Sequence, residues 1–230
     1  MKQKHTWLYN QRPIPTKRMT LTPMSVDELN EFIARETDTH LRKAYTEMRD
    51  CVLQYPDQAL WHTAWRMTQK DTGEMLGDIG FHGVPVDKTV EIGYGVLEQH
   101  RGKGYTTEAV RALADWAFTQ TGVYFVRAIT DAGNEASEHI LEKLKFKKLP
   151  LDPAAADLEE GQTLWELEKP ASMWMAIFMC IGMGSGSAIG SASDNYSMGM
   201  VVGMSIGLAI GSALDAQDRT QRKRAKDGAK

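Results

Sequence analysis

The sequence predicts a mixed α/β (α+β) chain, with a mostly antiparallel sheet flanked by helices and a separate apolar helical hairpin at the C-terminus. Three observations carry this. Residues 18–22, 60–67, 75–83, 89–97 and 163–168 read as strands, most by alternating apolar and polar side chains. Residues 25–33, 39–54, 105–120 and 134–144 show helical spacing instead. Residues 170–214 carry a single charge, Asp194, after a charge-rich chain, so the two parts suit different solvents.

At 230 residues with a formal net charge of -3, the chain is long enough to bury a core. It lacks the basic excess that a nucleic-acid binder normally shows, so no nucleic-acid partner is expected. Cys51 and Cys180 lie far apart in helical and apolar contexts, which argues against a disulfide framework and for a reducing cytosol. Residues 1–7 lack the apolar run of a secretory signal, so the amino-terminal part is expected to stay on the cytoplasmic side. Composition divides the chain into a domain over 1–170, an apolar segment over 171–214 and a basic tail over 215–230.

Taken in order, Pro13 and Pro15 interrupt residues 1–17, and the first strand runs over 18–22 until Pro23 stops it. Ser25, Asp27 and Glu28 mark a helix start, with Leu29, Phe32 and Ile33 inward; a second helix covers 39–54 and closes at Pro56. From Leu60 the period becomes alternating, with Trp61, Thr63, Trp65 and Met67 on one face. Asp71-Thr72-Gly73 turns that strand into a partner over 75–83, and a turn at 85–88 leads to the strand 89–97. Tyr105, Ala109, Val110, Leu113, Trp116 and Ala117 form the apolar stripe of a helix that stops near Gly122. An apolar strand over 123–130 follows, and strand, helix and strand within about 40 residues predict neighbouring parallel strands. Asn134 caps a helix with Ile140, Leu141 and Leu144 inward, and a Pro- and Ala-rich loop leads to the last strand, 163–168.

The chemistry concentrates around the strand 89–97. Val90, Ile92, Tyr94 and Val96 share one face, while Glu91, Gly93 and Gly95 share the other, which offers one carboxylate with no bulk beside it. Glycines in a strand mark places where something approaches the backbone closely, so Glu91 reads either as a surface glutamate or as a general base for an amine. Directly downstream, Gly102-Lys103-Gly104 opens a helix whose unpaired N–H groups and dipole suit a pyrophosphate. The loop is not a Walker A motif, because Leu97 stands where its first glycine belongs and Gly104 where Ser or Thr belongs. It also lacks the third glycine of a dinucleotide fingerprint, so nucleotide hydrolysis and hydride transfer are disfavoured. His62, His82, His100 and His139 show no metal-ligand spacing, and no metal is expected. Trp61, Trp65 and Trp116 read most simply as core or rim aromatics.

The ordered set Glu91-Ile92-Gly93-Tyr94, Gln99-x-x-Gly102-x-Gly104, Tyr105-x-x-Glu108-Ala109, Asn134-x-x-Ser137 and 141–146 resembles the GNAT superfamily of acyl-CoA-dependent N-acetyltransferases. It is most similar to the branch that acetylates N-termini of ribosomal proteins, over about residues 17–169. The resemblance implies a sheet splayed between the strand of Glu91 and the strand 123–130, with acetyl-CoA as co-substrate in the gap. It implies that Val96 and Leu97 border the pantetheine, and that Gln99, Arg101, Gly102, Lys103, Gly104 and Tyr105 form the phosphate loop. Asn134 would contact the CoA arm, Ser137 would lie near the thioester sulfur, and Glu91 would act as base, directly or through water. Two positions depart from the family pattern. Leu141 replaces a tyrosine acid, which leaves Ser137, water or no enzyme group to protonate the sulfur, and Lys145 precedes Phe146 where glycine is usual.

In the tail, Gly182, Gly186 and Gly190, then Gly199, Gly203, Gly207 and Gly211, recur every four residues. In helices this makes a flat stripe that permits close backbone approach, as in membrane helix pairs. Lys169 precedes the segment and Arg219, Arg222, Lys223, Arg224, Lys226 and Lys230 follow it, placing positive charge at both ends. The reading is a glycine-zipper membrane hairpin with self-association through the stripe; the alternative is a flexible Gly/Ser/Met-rich tail that packs on the domain or self-associates. The functional expectation is an acetyl-CoA-dependent N-acetyltransferase at the cytoplasmic membrane face, with a protein N-terminus or a small molecule as amine acceptor. The alternative is a catalytically impaired acyl-CoA-binding module that regulates a membrane partner.

Overall fold

A computed structural model describes residues 13–150, 161–171, 173–193 and 195–228. The irregular start up to residue 12, most of the Pro- and Ala-rich loop and Asp194 of the polar turn lie outside the described residues. The chain forms two compact units, Met1–Lys169 and Pro170–Lys230.

The first unit is built on an eight-stranded sheet whose spatial order follows the chain except at the far edge, where the last two strands exchange places. In β2 (Met19–Pro23) the alternation predicted from sequence sends Met19 and Leu21 into the core, and β1 (Ile14–Pro15) pairs along its edge. The helix α1 (Val26–Arg35) starts with a capping box: Ser25 Oγ accepts from the Glu28 N–H, and Glu28 Oε2 accepts from the Ser25 N–H at 2.8 Å. Such a cap stabilises a helix by about 1 kcal/mol. The second helix, α2 (Thr39–Gln54), is capped by Asp38 and packs on α1.

The strand expected from Leu60 begins later. Residues Ala59–His62 form a short helical turn, α3, and β3 spans Ala64–Gln69, so Trp61 and His62 are not strand residues. The chain leaving α2 must turn into the sheet, and it does so through α3, which ends where Thr63 N–H donates to the Ala59 carbonyl and Thr63 Oγ1 donates to the Met24 carbonyl. The apparent alternation from Leu60 onward spans this corner. Trp61 packs 5.0 Å, centroid to centroid, from both Phe81 and Trp116, while Trp65 is fully buried, so these tryptophans belong to the core and its rim.

The hairpin of β4 (Met75–Phe81) and β5 (Thr89–Val96) follows, then α4 (Tyr105–Thr119) and β6 (Phe125–Thr130). The two strands flanking α4 are adjacent and parallel, as their connection predicts. Their ladder joins Thr89, Val90 and Glu91 to Phe125, Val126 and Arg127 and then stops, although both strands continue. The sheet therefore opens beyond Glu91. The helix α5 (Glu135–Lys143), then β7 (Lys147–Lys148) and β8 (Thr163–Glu168), complete the far half, with β8 antiparallel to β6. Lys145 takes the left-handed position after α5 at φ 68°, with Phe146 N–H donating to the Leu141 carbonyl and Lys145 N–H to Glu142.

The second unit pairs α6 (Trp174–Ala192) with α7 (Tyr196–Gly228). Gly182 faces the carbonyl of Gly203, and Gly186 that of Gly199, so closely that a Cβ at any of the four would collide with backbone. Asp215 of α7 accepts from the Trp174 and Met175 N–H groups at 3.1 Å, capping the start of α6. Both helices are long and apolar enough to cross a membrane, and Ile177, Ile181, Val201 and Ile206 on them are exposed.

Candidate active site

The opening of the β5/β6 ladder makes a gap in the sheet, and the glycine loop stands at its β5 side, between Val96 and α4. Gly102 and Gly104 hold φ of 73° and 76°, a left-handed backbone that L side chains adopt only at a cost. Gly104 caps α4 without any side-chain oxygen, which leaves the first-turn N–H groups turned outward. Gln99, Arg101 and Lys103 are exposed, Leu97 is exposed and Val96 half-buried, whereas Tyr105 is buried. A diphosphate fits this cradle by charge and by donor geometry.

Glu108, one turn into α4, bonds to the turn between β1 and β2 rather than facing solvent. Its Oε1 accepts from Thr16 Oγ1 at 2.6 Å and from the Arg18 N–H at 2.7 Å, and its Oε2 accepts from Arg18 Nε at 2.8 Å. Burial works to raise the Glu108 carboxyl, but these hydrogen bonds and the Arg18 charge outweigh it and hold the group below the usual carboxylate range. Arg18 also donates to the Lys103 carbonyl at 2.9 Å and stacks its guanidinium over Tyr105.

On the other side of β5, the face expected to be free of bulk is occupied. Asp78 pairs with Gly95, Gly80 with Gly93, and the His82 N–H donates to the Glu91 carbonyl, so all six residues share one face. The glycines let neighbouring side chains lie flat on the sheet. His82 Nε2 covers Gly93, 2.6 Å from where a Cβ would stand, and Asp78 Oδ1 lies 3.5 Å from that position at Gly95. His82 Nδ1 meets Glu91 Oε1 at 2.9 Å. That hydrogen bond, donated by His82 to the carboxylate, together with the carboxylate's charge, raises the imidazole above its ordinary value against the opposing effect of burial. A pocket of about 220 Å³ covers this face, closed from above by Leu41, Ala44, Tyr45 and Met48 of α2. A larger groove of about 640 Å³ runs along α6 and α7, and among the described residues no titratable side chain lines it.

Across the gap, Asn134 caps α5 by accepting from the Ser137 N–H at 3.2 Å, and Ser137 is half-buried. Leu141 is fully buried and inert. The Tyr94 hydroxyl is buried beside Ser137 without closing a hydrogen bond, and burial pushes it up. Sequence reasoning passed over His82, Tyr94, Tyr45 and Asp78. Only the pattern of His82 and Asp78 at even spacing around Gly80 hinted that they share a face, and the register needed to bring them to Glu91 is a tertiary fact.

Comparison with known proteins agrees with this geometry. Residues 13–147 match the model of the acetyltransferase (GNAT) domain. The uncharacterized N-acetyltransferase YoaA of Bacillus subtilis is 26% identical over 125 residues, covering 54% of this chain and 70% of its own length. The uncharacterized N-acetyltransferase p20 of Bacillus licheniformis is 29% identical over 144 residues, covering 58% of this chain and 81% of its own. RimL, a ribosomal L7/L12 alpha-N-protein acetyltransferase solved in complex with coenzyme A, superposes with a TM-score of 0.52 at 16% identity over 70% of this chain and 100% of its own. At that identity the likeness shows the fold alone. With the opened β5/β6 ladder, the glycine cradle at α4 and a family match over more than half its length, the chain belongs to the acetyltransferase (GNAT) family.

Proposed function

We propose that this acetyl-CoA-dependent N-acetyltransferase uses His82 and Glu91 together as its general base, with the amine entering from the α2 side of the sheet. The observation that carries the reading is the His82–Glu91 pair at the point where the β5/β6 ladder opens. With Nδ1–H donating to Glu91, neutral His82 keeps a lone pair on Nε2, the nitrogen that covers Gly93. Glu91 then fixes the tautomer and stabilises the imidazolium that forms when the amine gives up its proton.

The thioester supplies the activated acetyl group. The N–H groups and side chains of the loop, from Gln99 and Arg101 through Gly102, Lys103 and Gly104 to Tyr105, bind the diphosphate, with Val96 and Leu97 beside the pantetheine arm and Asn134 touching it. As the N–C bond forms and the C–S bond breaks, the amine proton passes to His82 Nε2. The departing sulfur leaves as a thiolate beside Ser137, whose hydroxyl donates a hydrogen bond to it, and it takes its proton from water. An acetylated amine and CoA are the products.

The C-terminal hairpin is proposed to hold the enzyme at the cytoplasmic face of a membrane and to self-associate through its glycine stripe. Two sufficiently long apolar helices with basic residues beyond Leu214 support this. Fractionating cells that express the full chain or a chain ended at Lys169 tests it: recovery of both in the supernatant rejects the anchor. For the chemistry, amine-dependent release of CoA by the full chain is the test. A Glu91→Gln chain that keeps full rate at every pH removes the dyad from the account.

A further inference from the structure

The trough between α2 and the β4/β5 face has two acidic ends. At one, Glu91 is paired with His82. At the other, Asp78 accepts a hydrogen bond from the Tyr45 hydroxyl at 2.7 Å and lies against Gly95. Gly93 and Gly95 are two residues apart on one strand, so the His82 ring and the Asp78 carboxylate stand about 7 Å apart along the trough.

Asp78 is unusual for a buried carboxylate. Among the described residues it meets no cation. Arg66, its partner across β3 and β4, is committed to Glu28 at 2.6 Å. The other charge that bears on Asp78 and Tyr45 is Glu36, another acid. Burial pushes the Asp78 carboxyl up, and Tyr45, its one side-chain donor among the described residues, opposes this only in part. A buried carboxylate with a hydroxyl donor and no counter-charge is stabilised by any cation that enters. The pocket of about 220 Å³ has room for a linear molecule of about seven non-hydrogen atoms at roughly 30 Å³ each.

Resting on the acetyl-transfer reading above, we propose that Asp78 and Tyr45 form a specificity site for a second positive charge on the acceptor, which makes a small aliphatic diamine the preferred substrate. One nitrogen reaches His82 and loses its proton there; the other keeps its charge against Asp78. A chain of about four or five methylene groups spans the distance. Glu91 serves the reacting nitrogen, so the two carboxylates divide the work between chemistry and recognition.

The test is steady-state kinetics of the full chain at saturating acetyl-CoA, with 1,4-diaminobutane and 1,5-diaminopentane set against n-butylamine, n-pentylamine and an N-terminal alanine peptide. A charge-assisted contact predicts a kcat/KM advantage of about 10- to 100-fold for the diamines over the monoamines. In Asp78→Asn that ratio collapses toward one, through KM rather than kcat, and in Tyr45→Phe it falls part of the way. Because the readout is a ratio within each variant, a partly unfolded preparation does not imitate the result. A ratio unchanged by Asp78→Asn, or a wild-type chain that prefers the peptide or the monoamines, overturns the inference. Acetyl-CoA binding by calorimetry separates the two levels. If acetyl-CoA binds and no diamine is acetylated, the diamine site is wrong and the acyl-donor site stands; if acetyl-CoA does not bind, both fall.

Discussion

His82 Nδ1 and Glu91 Oε1 meet at 2.9 Å across neighbouring strands, and the glycine beside them, Gly93, is what lets the imidazole lie on the sheet. Because Glu91 raises the His82 value, the pair stabilises the fold fully below the ordinary histidine value of 6.5 and loses that contribution as pH rises through the raised one. Glu91→Gln therefore lowers the melting temperature more at pH 5.5 than at pH 9. Thermal melts of both chains across that range check the sign.

The proposed phosphate cradle depends on backbone conformation at Gly102 and Gly104. No atom lies within 4 Å of a Cβ built on Gly102, so Gly102→Ala meets only the cost of its positive φ, about 1 kcal/mol. If relief of that cost moves the loop, acetyl-CoA affinity falls roughly tenfold while the melting temperature changes by only a few degrees. Calorimetric titration of the Gly102→Ala and Gly104→Ala chains measures it.

Glu108 ties the start of α4 to the turn between β1 and β2 through Thr16 and Arg18. Since these partners hold it below its ordinary value of 4.5, its contribution is whole above that pH and is lost as pH falls through the depressed value. Glu108→Gln is expected to cost about 1–2 kcal/mol at pH 7, and the difference from wild type vanishes in acid. Denaturant titrations at pH 7 and pH 3 show both parts.

Lys145 occupies a left-handed position that glycine fills at no cost. Lys145→Gly should stabilise the domain by about 1 kcal/mol, or about 2–4 °C. A fall in melting temperature would mean that the Lys145 side chain makes a contact worth more than the strain.

Much of the scaffold was readable because it rests on local signals. The Asn134 cap, the stripe on α4 and the parallel crossing from β5 to β6 follow from spacing and side-chain chemistry alone. The turn at Ala59–His62 was misread because Trp61, Thr63, Trp65 and Met67 keep a period of two across a corner whose hydrogen bonds run to Met24, far away in sequence. The site was half legible. Glycines at 93, 95, 102 and 104 announced close approach, but not that His82 and Asp78 fill two of those spaces, since that depends on the β4/β5 register and on where α2 lands.

The dependence of kcat/KM on pH, compared between wild type and Glu91→Gln, tests the dyad most directly. If His82 is the base and Glu91 raises it, wild-type activity climbs as His82 loses its proton above the ordinary histidine value. In Glu91→Gln the same limb moves to lower pH, because burial, the remaining influence, favours neutral imidazole, and the plateau drops about 100-fold as the imidazolium loses its partner. Superimposable acid limbs in the two chains would contradict the account.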